Sequence, residues 1–122
     1  MPTKNEKQMK EEEMTRPNVT VRHMETASGG QAPNQFIIKT EEGDWFQSYK
    51  SLICFYGNSG EVLLDKNYWD YSSTTGRYRN QFLGENKAAT LKKIKSGEYK
   101  LVDMRVDLGR TLPSKKEVNG NE

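Results

Sequence analysis

The large aromatic side chains of this sequence are confined to its middle. Residues 35–104 contain both tryptophans, all six tyrosines and all four phenylalanines of the 122 residues. Residues 1–30 are rich in Lys and Glu and hold few large apolar side chains. Because a folded core needs such side chains, the sequence predicts one small domain with a core of about 75 residues. The predicted organisation is a flexible segment at 1–34, a core domain at 35–108 and a flexible tail at 109–122.

Apolar segments with turn residues between them predict two β-hairpins. Residues 36–40 and 45–49 are rich in β-branched and aromatic side chains, and the acidic, glycine-containing segment 41–44 separates them. The apolar segment 52–56 is joined by a glycine-rich turn to a further strand at 61–65. Short apolar runs joined by such turns are typical of antiparallel hairpins. The continuous apolar run at 52–56 also predicts a strand that is covered on both faces.

A helix is predicted from Asn86 to Gly97. Ala88, Leu91 and Ile94 recur at three-residue spacing, which places one apolar stripe along a helix. Asn86 is a residue type that caps helix starts, and Gly97 fits the left-handed conformation in which many helices end. Lysines in the last turns interact favourably with the negative end of the helix dipole.

The order of the elements predicts an α+β fold. A loop at 72–76 and a strand at 77–83 are expected before the helix, because aromatic and polar side chains alternate in the second of these segments. Residues 98–104 alternate again and predict a last strand, and residues 19–22 can add a short strand at a sheet edge. The expected architecture is a small antiparallel β-meander with one C-terminal helix packed on the sheet.

The most distinctive segment, residues 68–84, reads Tyr-Trp-Asp-Tyr-Ser-x-Thr-Thr-Gly-x-Tyr-Arg-Asn-x-Phe-Leu-Gly. Phe46-Gln47-Ser48-Tyr49 precedes it, and the segment 92–99 follows it. With these three pieces the sequence resembles, from Trp45 to Met104, a group of small proteins of unknown function carried by tailed bacteriophages and prophages. The resemblance implies no activity and no catalytic residues. It implies a phage accessory protein that acts inside an infected bacterium.

Few groups in the sequence are able to perform catalysis. His23 is the only histidine and falls in the predicted flexible segment, where no partner orients it. Cys54, the only cysteine, falls in the most apolar predicted strand, so an inert buried thiol is expected. The sequence has no metal-ligand spacing and no glycine-rich phosphate loop. A protein without catalytic activity, cofactor or metal is therefore expected.

Nucleic-acid binding, single-stranded or duplex, is one alternative. Arg77, Tyr78 and Arg79 interleave basic and aromatic side chains on a predicted strand. Exposed aromatic rings stack on bases while cations contact phosphates, a combination found on sheets that bind single strands. A basic patch at the end of the predicted helix would extend this track through Lys92, Lys93 and Lys95.

Protein binding is the preferred hypothesis, with a host or phage protein as the partner. Tyr, Trp and Arg side chains form the energetic centres of many protein interfaces, and they are concentrated in this part of the chain. The predicted contact residues are Tyr68, Trp69, Tyr71, Thr74, Thr75, Arg77, Tyr78 and Arg79. A structural role in a phage particle is a third hypothesis. Self-association would help to stabilise so small a core, and the oligomeric state is left open.

The predicted location is the cytoplasm of a bacterial host. The N-terminal residues lack the apolar segment of a secretory signal, and no apolar run approaches the length of a membrane span.

Overall fold

The computed structural model describes residues 18–105, which form one sheet with two helices against it. Six strands follow one another in the sheet in chain order: β1 (Thr20–Glu25), β2 (Gln31–Lys39), β3 (Gly43–Ser48), β4 (Ser51–Gly57), β5 (Val62–Asp65) and β6 (Tyr99–Val102). The helices lie in the chain between β5 and β6: α1 (Ser73–Leu83) and α2 (Lys87–Ser96).

Strands β1 to β5 form an antiparallel meander, and β6 pairs with β5 in parallel. The two predicted hairpins are confirmed as β2–β3 and β4–β5. A parallel pair requires a long crossover connection, which α1 and α2 provide here. The predicted α+β class is therefore confirmed. The finer prediction of a purely antiparallel meander with a single helix is corrected to a mixed sheet with two helices.

The largest correction concerns residues 72–83, where the structure has helix α1 instead of a loop and a strand. Ser72 is the N-cap, and its hydroxyl accepts a hydrogen bond from a backbone N–H of the first turn. Gly84 ends the helix at φ 70°, a left-handed conformation that glycine adopts without strain. Tyr78 and Phe82 are four residues apart, which places both on the side of the helix that faces the sheet.

Helix α2 confirms the helix predicted between Asn86 and Gly97. The Asn86 side chain caps its start, and Gly97 ends it at φ 86°. The predicted apolar stripe needs a correction, because Ala88 is exposed while Leu91 and Ile94 are half-buried. The side of α2 that faces the core is therefore turned away from Ala88, and Ile94 packs against the buried cluster.

Regular structure begins earlier than the predicted boundary near residue 35. Strand β1 and the first residues of β2 lie within the segment that the sequence suggested to be flexible, and the edge strand predicted at 19–22 is present as β1. His23 is accordingly half-buried: its Nδ1 lies 3.2 Å from the Ala32 carbonyl oxygen, and its ring centroid lies 4.9 Å from that of Phe36. The predictions of flexibility for residues 1–17 and 109–122 lie outside the described residues.

The core lies between the sheet and the helices. Phe46, Cys54 and Leu64 are opposite one another on β3, β4 and β5, and all three are fully buried. Phe82 of α1 stacks on Phe46, with ring centroids 5.9 Å apart. Burial raises the pKa of the Cys54 thiol far above its ordinary value, so this thiol stays protonated near neutral pH. The predicted burial of Cys54 is confirmed.

Gln35 on β2 is a fully buried amide that has no hydrogen-bond partner in the described part of the chain. We expect Gln35→Met to raise the free energy of unfolding by about 1–2 kcal/mol, because the side-chain length is kept while the unpaired amide is removed. Gln47→Met is the matched control. The Gln47 Nε2 donates to the Tyr49 carbonyl at 2.7 Å, so this change should instead cost about 0.5–1.5 kcal/mol. Urea denaturation measures both, and a loss of stability in Gln35→Met would contradict the prediction.

Candidate functional site

The distinctive stretch is divided between helix α1 and the connection that leads to it from β5. The buried carboxylate of Asp65 holds the start of this connection. Its Oδ2 accepts hydrogen bonds from the backbone N–H groups of Asn67 and Tyr68, at 3.0 and 2.8 Å. Its Oδ1 accepts one from the backbone N–H of Met104, at 3.0 Å. The connection is thereby fixed to the chain that leaves β6.

The predicted contact residues do not form one surface. Arg79, Thr75 and Tyr78 are buried. Tyr68, Trp69 and Thr74 are half-buried, whereas Arg77 and Tyr71 are exposed. Arg77 and Arg79 are two residues apart on a helix, which separates them by about 200° around its axis. Arg77 therefore faces solvent, whereas Arg79 is only 1% exposed. The basic and aromatic strand predicted for nucleic-acid binding is not formed.

Arg79 joins helix α1 to the connection that precedes it. Its Nη1 donates to the Trp69 carbonyl at 2.9 Å and to the Asp70 Oδ1 at 3.0 Å. Its Nη2 donates to the Asn80 Oδ1 at 2.9 Å, and the guanidinium lies 5.1 Å from the centroid of the Trp69 ring. Because burial of an unpaired guanidinium would be very costly, these contacts explain how a nearly inaccessible arginine is tolerated.

Asp70 connects the two helices through its carboxylate. Its Oδ1 accepts from Arg79 on α1, and its Oδ2 lies 2.6 Å from the Nζ of Lys87 on α2. Partial burial raises the pKa of the Asp70 carboxyl. The hydrogen bonds from Lys87 and Arg79 outweigh that effect and hold the pKa below its usual range. Asp70 therefore remains charged at neutral pH, between two cations.

Lys93 belongs to a second ion pair, so the predicted basic patch of three lysines is reduced to Lys92 and Lys95, which are exposed. The Lys93 Nζ lies 2.8 Å from the Glu85 Oε1 and 5.3 Å from the centroid of the Tyr99 ring. Partial burial raises the pKa of Glu85, but hydrogen bonds, that of Lys93 foremost, hold it below its usual range. This pair joins α2 to the connection between the two helices, and it lies against Tyr99 at the start of β6.

A groove of about 600 Å³ runs along the first turns of α1 and reaches the start of α2. This α1 groove is lined by Asp70, Ser72, Ser73, Gly76, Arg77, Arg79, Asn80 and Lys87. Three of these side chains are cationic and one is a carboxylate, so the groove carries a net positive charge. Arg77 pairs with no carboxylate of residues 18–105, which leaves its charge accessible.

A second groove, of about 470 Å³, lies at the end of the sheet between Leu52, Tyr68 and Met104. Its single carboxylate is that of Asp65, which already accepts three backbone hydrogen bonds. The Asp65 carboxylate therefore serves the fold by holding the backbone on both sides of this groove.

The other face of the sheet carries a continuous apolar row. Directly opposed residues of neighbouring strands share a face, and the register aligns Val21, Ile38, Trp45, Phe55 and Leu63 from β1 to β5. The helices pack on the opposite face, which holds the neighbouring row of core residues. We call this row the helix-free face. Phe55 is buried beneath the Trp45 ring, with centroids 4.5 Å apart, and Val21 is 59% exposed.

The sequence interpretation missed the helix-free face as a site. The signal in the sequence was that Ile38, Trp45 and Phe55 are large apolar residues on three successive strands, at positions that face away from the helices. The apolar run at 52–56, which includes Phe55, predicts a strand covered on both faces, whereas both helices lie on one face of the sheet.

The model of a family of unknown function (DUF8033) matches residues 9–98. The chain belongs to the DUF8033 family. In this DUF8033 protein the matched residues include β1 to β5 and both helices, and they end directly before β6. No curated protein and no solved structure matches the chain.

Both surfaces of the DUF8033 protein, the helix-free face and the α1 groove, lie within the range that the family model matches. Within the part of the chain that the structure describes, no helix is long and apolar enough to cross a membrane. No three His, Cys, Asp or Glu side chains among residues 18–105 are grouped so that they could hold a metal ion.

Proposed function

We propose that the chain is a non-catalytic protein-binding module, of the phage accessory kind that its sequence resembles, and that it contacts its partner through the helix-free face. The observation that carries this proposal is the apolar row across five strands. An antiparallel sheet with helices on one side usually presents alternating polar residues to water on the other. Here the second face presents Trp45, Ile38 and Leu63, all half-buried, and such apolar surfaces mark interaction sites.

The dimensions of this face fit a protein interface. Neighbouring strands lie about 4.8 Å apart, so a row across five strands is about 19 Å wide. Specific protein interfaces bury about 800 Å² on each partner. A patch of that area is about as wide as this row together with the residues that surround it. Trp45 near the centre of the row is the residue type that most often dominates binding energy.

Charges at the two ends of the sheet indicate the chemistry of the partner. Glu41, Glu42 and Glu61 lie in or beside the turns at one end of the strands. Lys50 and Lys66 follow β3 and β5 at the other end, and all five side chains are exposed. Interfaces pair opposite charges at their rims. We therefore propose a partner protein with an apolar centre, cations facing the glutamates and carboxylates facing the lysines.

The proposal for nucleic acid has lost its main support, because Arg79 and Tyr78 are buried and residues 77–83 form part of a helix instead of a basic-aromatic strand. A structural role in a phage particle would use the same apolar face for assembly. It therefore requires no separate site.

Site-specific photo-crosslinking tests the helix-free face. A photoreactive amino acid at Ile38 should give a discrete protein adduct in the bacterial host, whereas the same group at Gln81, exposed on α1, should give none. Trp45→Thr, which keeps strand propensity, should lower the yield of that adduct at least about tenfold, because a central tryptophan contributes more than 1.4 kcal/mol.

Sedimentation of the purified full chain distinguishes the occupants. A monomer together with an adduct specific to Ile38 supports a separate partner protein. A dimer that Trp45→Thr dissociates would identify a second copy as the occupant and would overturn the proposal of a separate partner. Equal adducts at Ile38 and Gln81, or adducts unaffected by Trp45→Thr, would show that the helix-free face is not the contact surface.

A further inference from the structure

The contact between helix α1 and the sheet is polar at the start of the helix and apolar near its end. Near the end, the Phe82 ring stacks on that of Phe46. Near the start, the Thr75 Oγ1 lies 3.1 Å from the Ser48 Oγ of β3, and both residues are buried. Among residues 18–105 this is the one hydrogen bond between α1 and a strand. Because burial of a large aromatic side chain contributes more than one such bond, the helix is held mainly near its end.

Gln35 lies beside this hydrogen bond and opposes closure of the contact. It is directly opposite Ser48 on β2, so its side chain shares the face that α1 covers. It is fully buried, and neither its Oε1 nor its Nε2 has a partner in the described residues. Burial of an amide without a hydrogen bond is costly, and hydration of the same amide removes that cost. A movement that admits water to Gln35 is therefore favoured by this residue.

The backbone on both sides of the pair formed by Gln35 and Ser48 is strained. Asn34, which precedes Gln35, has φ 64°, and Tyr49, which follows Ser48, has φ 55°. The Tyr49 N–H donates to the Asn34 carbonyl at 2.7 Å. Asparagine tolerates this left-handed conformation, whereas a bulky residue such as tyrosine rarely adopts it. Backbone strain of this kind is concentrated at functional and switch regions of proteins.

The other polar contacts of α1 bind the helix to the connection that precedes it. Arg79 donates to the Trp69 carbonyl and the Asp70 carboxylate in that connection, and to Asn80 in the helix itself. These bonds persist when the helix and the end of the connection move together. Asp70 also pairs with Lys87 of α2, whose side chain is 52% exposed, so water weakens the one ion pair that such a movement stretches within the described residues.

We infer that α1 and the end of the connection before it, residues 69–84, form a lid that opens from the sheet at the start of the helix. The lid turns about its apolar end at Phe82 and Gly84, where the left-handed glycine ends the helix. Opening breaks the hydrogen bond of Ser48 and admits water to Gln35. The lid lies on the sheet face opposite the helix-free face, so this inference goes beyond the proposed function and does not depend on it.

Thiol labelling of the full chain tests the lid, with Cys54 as an internal reference. Ser48→Cys places a thiol at the polar start of the contact, which is covered while the lid is closed. Cys54 is fully buried in the core cluster, so its labelling reports unfolding of the whole domain. Each rate is divided by the rate of the same thiol in urea, and mass spectrometry after digestion separates the two thiols. We expect the introduced thiol to react at least about tenfold faster than Cys54.

Two further substitutions in the Ser48→Cys chain identify the route of labelling. Gln35→Met should slow the reaction of the introduced thiol about tenfold, because it removes the amide that opening hydrates. Gly60→Ala introduces backbone strain at φ +95° in the turn between β4 and β5, outside the lid. It should therefore speed the labelling of Cys54 and leave that of the introduced thiol unchanged.

Thr75→Cys, on the lid itself, should reproduce the result, and it replaces Ser48→Cys if that chain does not fold. Equal rates for the introduced thiol and Cys54, or equal acceleration of both by Gly60→Ala, would show that only unfolding of the whole domain uncovers this contact. Either outcome would overturn the inference, as would a labelling rate that Gln35→Met leaves unchanged.

Discussion

Gly43→Ala is expected to lower the free energy of unfolding by about 3–5 kcal/mol. A Cβ at this position would lie 2.4 Å from the Tyr56 carbonyl oxygen and 2.7 Å from the Gly57 Cα. Both contacts are to backbone atoms of β4, so no side chain can rotate away to relieve them. Gly43 also has φ +151°, which residues with a Cβ rarely adopt. The first pair of the β3–β4 ladder would have to separate.

Gly60→Ala is the matched control for this prediction. Gly60 also has positive φ, at +95°, but a Cβ there meets no atom within 4 Å. Only the backbone strain remains, so we expect a cost of about 1–2 kcal/mol. Urea denaturation of the two variants separates the contributions. Equal losses would show that the contact with β4 is relaxed easily, and that the ladder near Gly43 is less constrained than the structure indicates.

The hairpins and α2 could be predicted because their signals are local. The turn at residues 57–60 combines glycine, asparagine and serine, and Asn86 and Gly97 bracket the helix in sequence. Helix α1 has the same kind of bracket in Ser72 and Gly84. The sequence nevertheless predicts a loop at 72–76 and a strand at 77–83, because the alternating aromatic and basic residues of the second segment also satisfy a two-residue period. The caps at both ends were the more reliable signal.

The sites could be predicted only in part, because they depend on long-range packing. Alternation along β3 separates Trp45 from Phe46, but it does not say which of them the helices cover. The burial of Arg79 depends on acceptors in the connection from β5, including Trp69 and Asp70. It also depends on an acceptor in α1 itself. The sequence analysis placed this arginine beside Arg77 on one surface, and the helical period separates them.

Asp70→Ala is expected to lower the free energy of unfolding by about 2–4 kcal/mol. The substitution leaves the guanidinium of Arg79 buried with one fewer acceptor and without a counter-charge, and it breaks the link from α1 to Lys87 on α2. The Asp70 side chain is 32% exposed, so water reduces the loss below that of a fully buried pair. Asp44→Ala is the control. Its pair with Lys39 is exposed on both sides and should contribute at most about 1 kcal/mol.

The dependence on pH separates the charge of Asp70 from its packing. The folded pKa of Asp70 lies below its unfolded value of about 3.9, so the carboxylate stabilises the fold fully above that pH. This stability is lost as the pH falls through the folded pKa. Asp70→Asn keeps the shape and does not titrate. The stability gap between the wild type and Asp70→Asn, measured by urea denaturation, should therefore stay constant near neutrality and close below about pH 4. A gap that persists at acid pH would assign the effect to hydrogen-bond geometry instead of charge.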